Sequence, residues 1–129
     1  MKRIDVAVGI IFNQQGEVLI GQRTVNDLYF QKWEFPGGKL EPQESPQQAL
    51  KRELAEELAI DVQQSSQVMT LEYDYPDRLV RLTIFRVDQY QGEPVSKEGQ
   101  ALQWVKIDQL NTLDMLAGNH PIIEFLQSF

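Results

Sequence analysis

Glu53, Glu56 and Glu57 are the residues of this 129-residue chain whose type and spacing most need a chemical reason. On a helix of 3.6 residues per turn, the three carboxylates fall within roughly 100° of one face. Like charges at such spacing disfavour a helix by roughly 0.2–0.5 kcal/mol per pair. Two of the three also stand toward the C-terminal end, where the helix dipole prefers cations. Arg52, one turn before Glu56, offsets only part of this. A solvated charged face is the plain reading. A divalent cation reverses the balance, because oxygen ligands converging from one rigid face suit Mg²⁺, which takes carboxylates together with substrate phosphates.

The elements that position these carboxylates are written around them. Ser45 and Pro46 read as a helix start, with a hydroxyl N-cap, proline at the first helical position and Gln48 as capping-box partner. Leu50, Leu54 and Leu58 recur every four residues and form an apolar stripe for a core. Just before the helix, Gly37 and Gly38 allow a tight backbone path that can approach a metal or a phosphate closely. Glu44 adds a carboxylate at the helix entrance.

In this arrangement the segment 37–60 resembles the Nudix box. That pattern runs glycine, five residues, glutamate, seven residues, then Arg-Glu-apolar-x-Glu-Glu-x-Gly-apolar. Here it reads Gly38, Glu44, Arg52, Glu53, Leu54, Glu56, Glu57, Ala59 and Ile60, so eight of nine specified positions match. Ala59 stands where the family has glycine. Glycine there would end the helix in the left-handed region, which costs alanine on the order of 1 kcal/mol. The sequence therefore predicts a slightly strained or reshaped helix exit with the chemistry intact.

The resemblance extends along the whole chain to the family members that hydrolyse the oxidised nucleotide 8-oxo-dGTP. It is carried by Arg23, Glu34-Phe35-Pro36-Gly37, Pro76-Asp77-Arg78, Gly92-Glu93-Pro94, Lys97-Glu98-Gly99-Gln100 and Asn119. Leu28 departs, lying where a histidine stands in the best-known enzyme of this kind. The resemblance implies that the carbonyl of Gly37 or Gly38, with Glu56, Glu57 and Glu98, holds Mg²⁺ or Mn²⁺. Glu53 would be the general base or orient water through a metal, with Arg52 and Glu44 positioning the glutamates. Lys39 and Arg23 would neutralise phosphate charge. Asn119 would meet the base edge, in a pocket involving Leu28, Glu34, Phe35, Pro36 and Gly37, near the Asp77-Arg78 turn. Without the resemblance, Asn119 reads as a helix N-cap or turn residue, Arg23 as a strand-end cation, Phe35 as core, Glu98 as a loop charge and His120 as a surface residue.

The remaining sequence implies an α/β fold. Ile4–Phe12 and the run EVLIGQR read as a hairpin turning at Asn13–Gly16. The apolar Val6–Phe12 stretch suggests a strand covered on both faces. Thr24–Lys32 reads as a mobile loop with exposed Leu28, Tyr29 and Phe30. Gln67–Tyr75 and Leu79–Val87 are strands around a Pro-Asp turn, Gln89–Gln100 is a polar loop, and Leu102–Ile107 is a further strand with Asp108 as a cap. From Pro121, Ile122, Ile123, Leu126 and Phe129 share a helical face. A mixed sheet with helices against it follows, similar to the Nudix α/β/α sandwich with its catalytic loop-helix-loop, as a single domain over residues 1–129.

Composition sets bounds. There is no cysteine, hence no disulfide framework or thiolate site. Net charge is −7, which argues against a nucleic-acid polymer or an anionic membrane as partner. With no apolar run of membrane length and no signal peptide, the expectation is a cytoplasmic monomer. The leading expectation is Mg²⁺-dependent hydrolysis of 8-oxo-dGTP to the monophosphate and pyrophosphate. The alternatives are the same reaction on another nucleoside triphosphate or nucleotide-sugar diphosphate, and a non-catalytic nucleotide- or protein-binding module on the same fold.

Overall fold

Strand β1 (Arg3–Ile10) is the axis of the fold. In the computed structural model, which describes residues 3–128, side chains along β1 and just beyond it alternate between two separate cores. Val8 and Ile10 join one, while Ala7 and Ile11 join the other. This is the two-sided coverage that the apolar run predicted.

Each edge of β1 is occupied. It pairs parallel with β6 (Arg78–Gln91) and antiparallel with β4 (Gly37–Lys39), and β5 (Asp61–Tyr75) lies outside β6. The order β4-β1-β6-β5 is a mixed sheet. A second, antiparallel sheet has the order β3-β2-β7, from β2 (Val18–Gln22), β3 (Trp33–Glu34) and β7 (Leu102–Val105).

Helices cover the two faces. On one lies α1 (Pro46–Leu58), with Leu50, Leu54 and Leu58 fully buried. On the other lies α2 (His120–Gln127), contributing Ile122, Ile123 and Leu126. Phe129, expected on the same face, lies outside the described residues. The α/β/α arrangement matches the sequence reading. Helix α1 begins as its sequence dictates: Gln48 N–H donates to Ser45 Oγ (3.1 Å), Ser45 N–H donates to Gln48 Oε1 (2.9 Å), and Pro46 opens the first turn. The helix approaches β1 closely at Gly9, where a Cβ would stand 3.1 Å from both Leu50 and Leu54.

Four elements differ from the sequence reading. The hairpin turn exists, with Gly16 at φ 76°, but pairing survives only around Ile11–Leu19 and Phe12–Val18. Beyond that the strands diverge into different sheets, because each finds both its partners elsewhere. Strands β5 and β6 are longer than expected, running from Asp61 and on to Gln91. Register shifts between Val62 and Met69 break the two-residue alternation that would have revealed the start of β5. Asp108 does not cap: it lies in the first turn of the 3-10 helix Ile107–Thr112, whose N-cap is Lys106. Finally, Tyr29 is not exposed like its neighbours but half-buried against Tyr75.

Ala59 does take the left-handed conformation (φ 59°, ψ 33°). Its N–H donates to Ala55 O (3.1 Å) and the Ile60 N–H reaches back to Leu54 O (3.4 Å), closing the helix as glycine would. The strain therefore sits in one residue. Ala59→Gly is expected to stabilise the fold by about 1 kcal/mol, a rise of a few degrees in Tm; thermal unfolding of the two proteins checks this, and an unchanged or lower Tm would contradict it.

Candidate active site

Arg52 buckles the glycine loop to the helix. Its Nε and Nη2 donate to the two oxygens of Glu44 (2.8 and 2.9 Å), a bidentate fork. Nη2 also donates to the carbonyl of Lys39 (3.0 Å), and Nη1 to Glu53 Oε1 (2.9 Å). The Arg52 fork and the Glu41 backbone N–H hold the Glu44 carboxyl down to about 2, so it stays charged. One guanidinium thus fixes the loop, the helix entrance and Glu53. Gln43, at φ 66°, forms the strained corner of the turn between them.

Beyond the buckle the carboxylates crowd together. Glu57 lies beside Glu53, Glu34 and Glu98, and burial together with these three charges pushes its carboxyl up to about 8. Its Oε2 is buried and has no hydrogen-bond partner. Burial also raises Glu53 and Glu34, against the opposing pull of Arg52 and Arg23 respectively. Glu98 is brought in by its loop: Val95 N–H donates to Leu58 O (3.0 Å) and Lys97 N–H to Glu57 O (2.9 Å), so the loop covers the C-terminal carbonyls of α1. Glu53, Glu57, Glu98 and Glu34 together line a chamber of about 180 Å³.

The two glycines make that chamber possible. A Cβ at Gly37 would lie 2.0 Å from Ala7 O, and one at Gly38 would lie 2.2 Å from the Glu53 carboxyl carbon. Any side chain at 38 would displace Glu53. An orphaned buried carboxylate oxygen, a bare backbone against Glu53 and an all-oxygen donor set fit a hard divalent cation. Among the described residues, no three acidic or imidazole groups already stand in ligating geometry. Glu53, Glu57, Glu98 and a Gly37 or Gly38 carbonyl would hold the ion. Glu56 is turned to the rim, 56% exposed and paired loosely with Arg52 (3.4 Å).

A second cleft of about 420 Å³ adjoins the first, and Arg23, Val25, Glu34 and Gly37 line both. Its walls are apolar and aromatic, including Val8, Phe35, Tyr75, Val80, Leu82 and Leu116, with Asn119, Lys39 and Arg78 supplying polarity. Asn119 is only 3% exposed. It occupies the N-cap position of α2 but makes no side-chain cap; instead its Oδ1 accepts the Phe35 N–H at 2.9 Å. Arg23 donates to Asp27 (3.0 Å) and to Glu34 (3.4 Å).

Of the residues the sequence singled out, Arg23, Glu34, Pro36, Gly37, Glu53, Glu57 and Glu98 line the acidic chamber, and Phe35, Gly38, Lys39, Arg78 and Asn119 line the adjoining cleft. Glu44, Arg52 and Glu56 line neither space, and Leu28 stands farthest from the expectation: it is 70% exposed, because the loop carries it outward while Tyr29 turns in. Asp77 also lines neither; it accepts the Tyr29 hydroxyl and pairs with Arg78 (2.9 Å), both of which line the larger cleft. Sequence reasoning missed Tyr29, Tyr75 and Asp27. Arg78 lies over the Tyr29 ring (5.1 Å), and Asp27 bridges Arg23 toward Arg78. Within the 24–32 loop Tyr29 stands beside Val25, Leu28 and Phe30, so nothing in its local sequence singles it out.

Comparison with known proteins gives the family. The NUDIX domain family matches residues 7–125. The chain is 42% identical to the 8-oxo-dGTP diphosphatase of Escherichia coli K12, with 98% of each chain covered. It is 34% identical to the CTP pyrophosphohydrolase of the same organism, covering 96% of this chain and 91% of that one. Among solved structures, one from a study of MutT from Aliivibrio salmonicida and Vibrio cholerae superposes with a TM-score of 0.82 at 35% identity, covering 99% and 100% of the two chains. With the box, the fold and the acidic chamber in agreement, this chain belongs to the Nudix hydrolase family.

Proposed function

We propose that the protein hydrolyses 8-oxo-dGTP to the nucleoside monophosphate and pyrophosphate, by water attack at the β-phosphorus, with Mg²⁺ as cofactor and Mn²⁺ able to replace it. The observation that carries this reading is the junction of an acidic, orphan-bearing chamber with an apolar cleft ending at Asn119. A triphosphate fits such a pair of spaces: the phosphates go to the acidic side and the base to the other. Removal of the oxidised nucleotide before polymerisation would limit mutation.

The chain's own groups supply defined parts of the chemistry. Arg52 holds Glu53 Oε1, which leaves Oε2 to accept the proton of the attacking water. Bound divalent metal would withdraw charge from the phosphate oxygens and lower the pKa of water at the site. Arg23, which lines both spaces, and Lys39, in the larger cleft, offer positive charge to the phosphates. The Asn119 carbonyl oxygen keeps a second lone pair beside the Phe35 N–H. It can accept the N7–H that oxidised guanine has and guanine lacks. An unmatched buried polar group costs about 1–3 kcal/mol, which favours the oxidised base by roughly 5- to 150-fold per contact.

A second reading keeps the reaction and changes the base. The relative at 34% identity that is named a CTP pyrophosphohydrolase favours it. A substrate panel separates the two.

Three outcomes are expected. Steady-state kinetics should give a kcat/KM for 8-oxo-dGTP well above those for dGTP and CTP; comparable efficiencies would contradict the specificity. Glu53→Gln should lower kcat by roughly a hundredfold or more with little change in thermal stability, and a near-normal kcat would remove Glu53 from the base role. Chelation of divalent ions should abolish pyrophosphate release, with Mg²⁺ or Mn²⁺ restoring it; turnover persisting in chelator would exclude the metal.

A further inference from the structure

Asn119 and the segment leading to it are held from three directions, two of which come from residues with no assigned role, Trp33 and Tyr75. On one side Trp33 N–H donates to Asp114 O (2.9 Å) and Leu116 N–H to Trp33 O (2.8 Å), which straps the segment 114–116 to β3. From the front the Phe35 N–H donates to Asn119 Oδ1. On the remaining side the Gly118 N–H donates to the Tyr75 hydroxyl oxygen at 2.7 Å, in a buried contact.

The Gly118 bond has a physical reason. Ala117–Asn119 form a short 3-10 turn, and the first N–H groups of any helical turn lack partners within it. Left unpaired in this buried position, the Gly118 N–H would favour another arrangement of the turn. Tyr75 supplies the acceptor and little space: a Cβ at Gly118 would lie 2.4 Å from its hydroxyl oxygen. The tyrosine is itself fixed, 6% exposed, with its ring packed on Tyr73 (4.6 Å) and edge-on to Tyr29 (4.9 Å).

We infer that Tyr75 is a positioning residue for base selection: its hydroxyl, by holding the Gly118 N–H, fixes the turn that presents the Asn119 amide to the base. The inference rests on the reading of Asn119 as the base-contacting residue. Phenylalanine would keep the ring packing and lose this function alone. Because Tyr29 rests on Tyr75 and its hydroxyl reaches Asp77, the same ring also joins the 24–32 loop to the base end of the cleft.

A double-mutant cycle with Tyr75→Phe and Asn119→Ala, read on 8-oxo-dGTP and dGTP, tests this. Tyr75→Phe should raise KM for 8-oxo-dGTP by roughly three- to tenfold, the equivalent of one hydrogen bond, with the loss in kcat/KM carried by KM. Discrimination against dGTP should fall by the same factor. In the Asn119→Ala background the substitution should change neither quantity further. Gly118→Ala, which pushes the turn off the hydroxyl, should reproduce the loss by an independent route. Undiminished discrimination in Tyr75→Phe with only a lower Tm, or an equal effect with and without Asn119, would overturn the inference. If the wild-type enzyme shows no preference for 8-oxo-dGTP, the substrate reading fails by itself, and the cycle is then read on the nucleotide it does prefer.

Discussion

Mutual repulsion among Glu34, Glu53, Glu57 and Glu98 is the constraint on which the site depends. Burial withholds the water that would screen these charges, and Glu57 bears the consequence in a carboxyl raised to about 8. A chain left to itself would spread such groups apart. Here the backbone prevents it. The leucine stripe of α1 is locked into one core, Arg52 ties Glu53 to the glycine loop, and the Glu98 loop is bonded to the last carbonyls of the helix. A divalent cation held among them would offset both the burial and the crowding.

The same logic explains the distribution of glycine and arginine. Gly37 and Gly38 are required because backbone and carboxylate approach more closely than any side chain allows. Arg52 is required because only a planar fork can satisfy Glu44 twice and still reach Lys39 O and Glu53. Arg23 plays the corresponding part at the boundary of the two spaces, balancing Glu34 and Asp27. The acidic chamber and the apolar cleft are therefore built on separate cores and meet along β1 and the 34–38 segment.

Much of the catalytic half was legible in the sequence, since its determinants are local. Ser45, Pro46, Gln48 and the leucine repeat specify a helix within a few residues of one another, and the positions of Glu53 and Glu57 follow from helical spacing. Even the left-handed Ala59 could be foreseen from its place at the helix exit. The base-side half was less legible. Tyr29 meets Asp77 across 48 residues, and Tyr75 meets Gly118 across 43, with no periodic pattern to announce either contact. The outward turn of Leu28 and the inward turn of Tyr29 depend on that same long-range packing. The start of β5 was hidden because its register shifts erase alternation.

The most direct test of the central claim is a crystal structure soaked with Mn²⁺ and a non-hydrolysable nucleoside triphosphate analogue, read by anomalous difference density. The account predicts a Mn²⁺ peak among Glu53, Glu57, Glu98 and the Gly37–Gly38 backbone, bridged to the phosphates, with the base against Asn119. Carboxylates turned to solvent with no metal peak among them, or a nucleotide bound elsewhere, would contradict it.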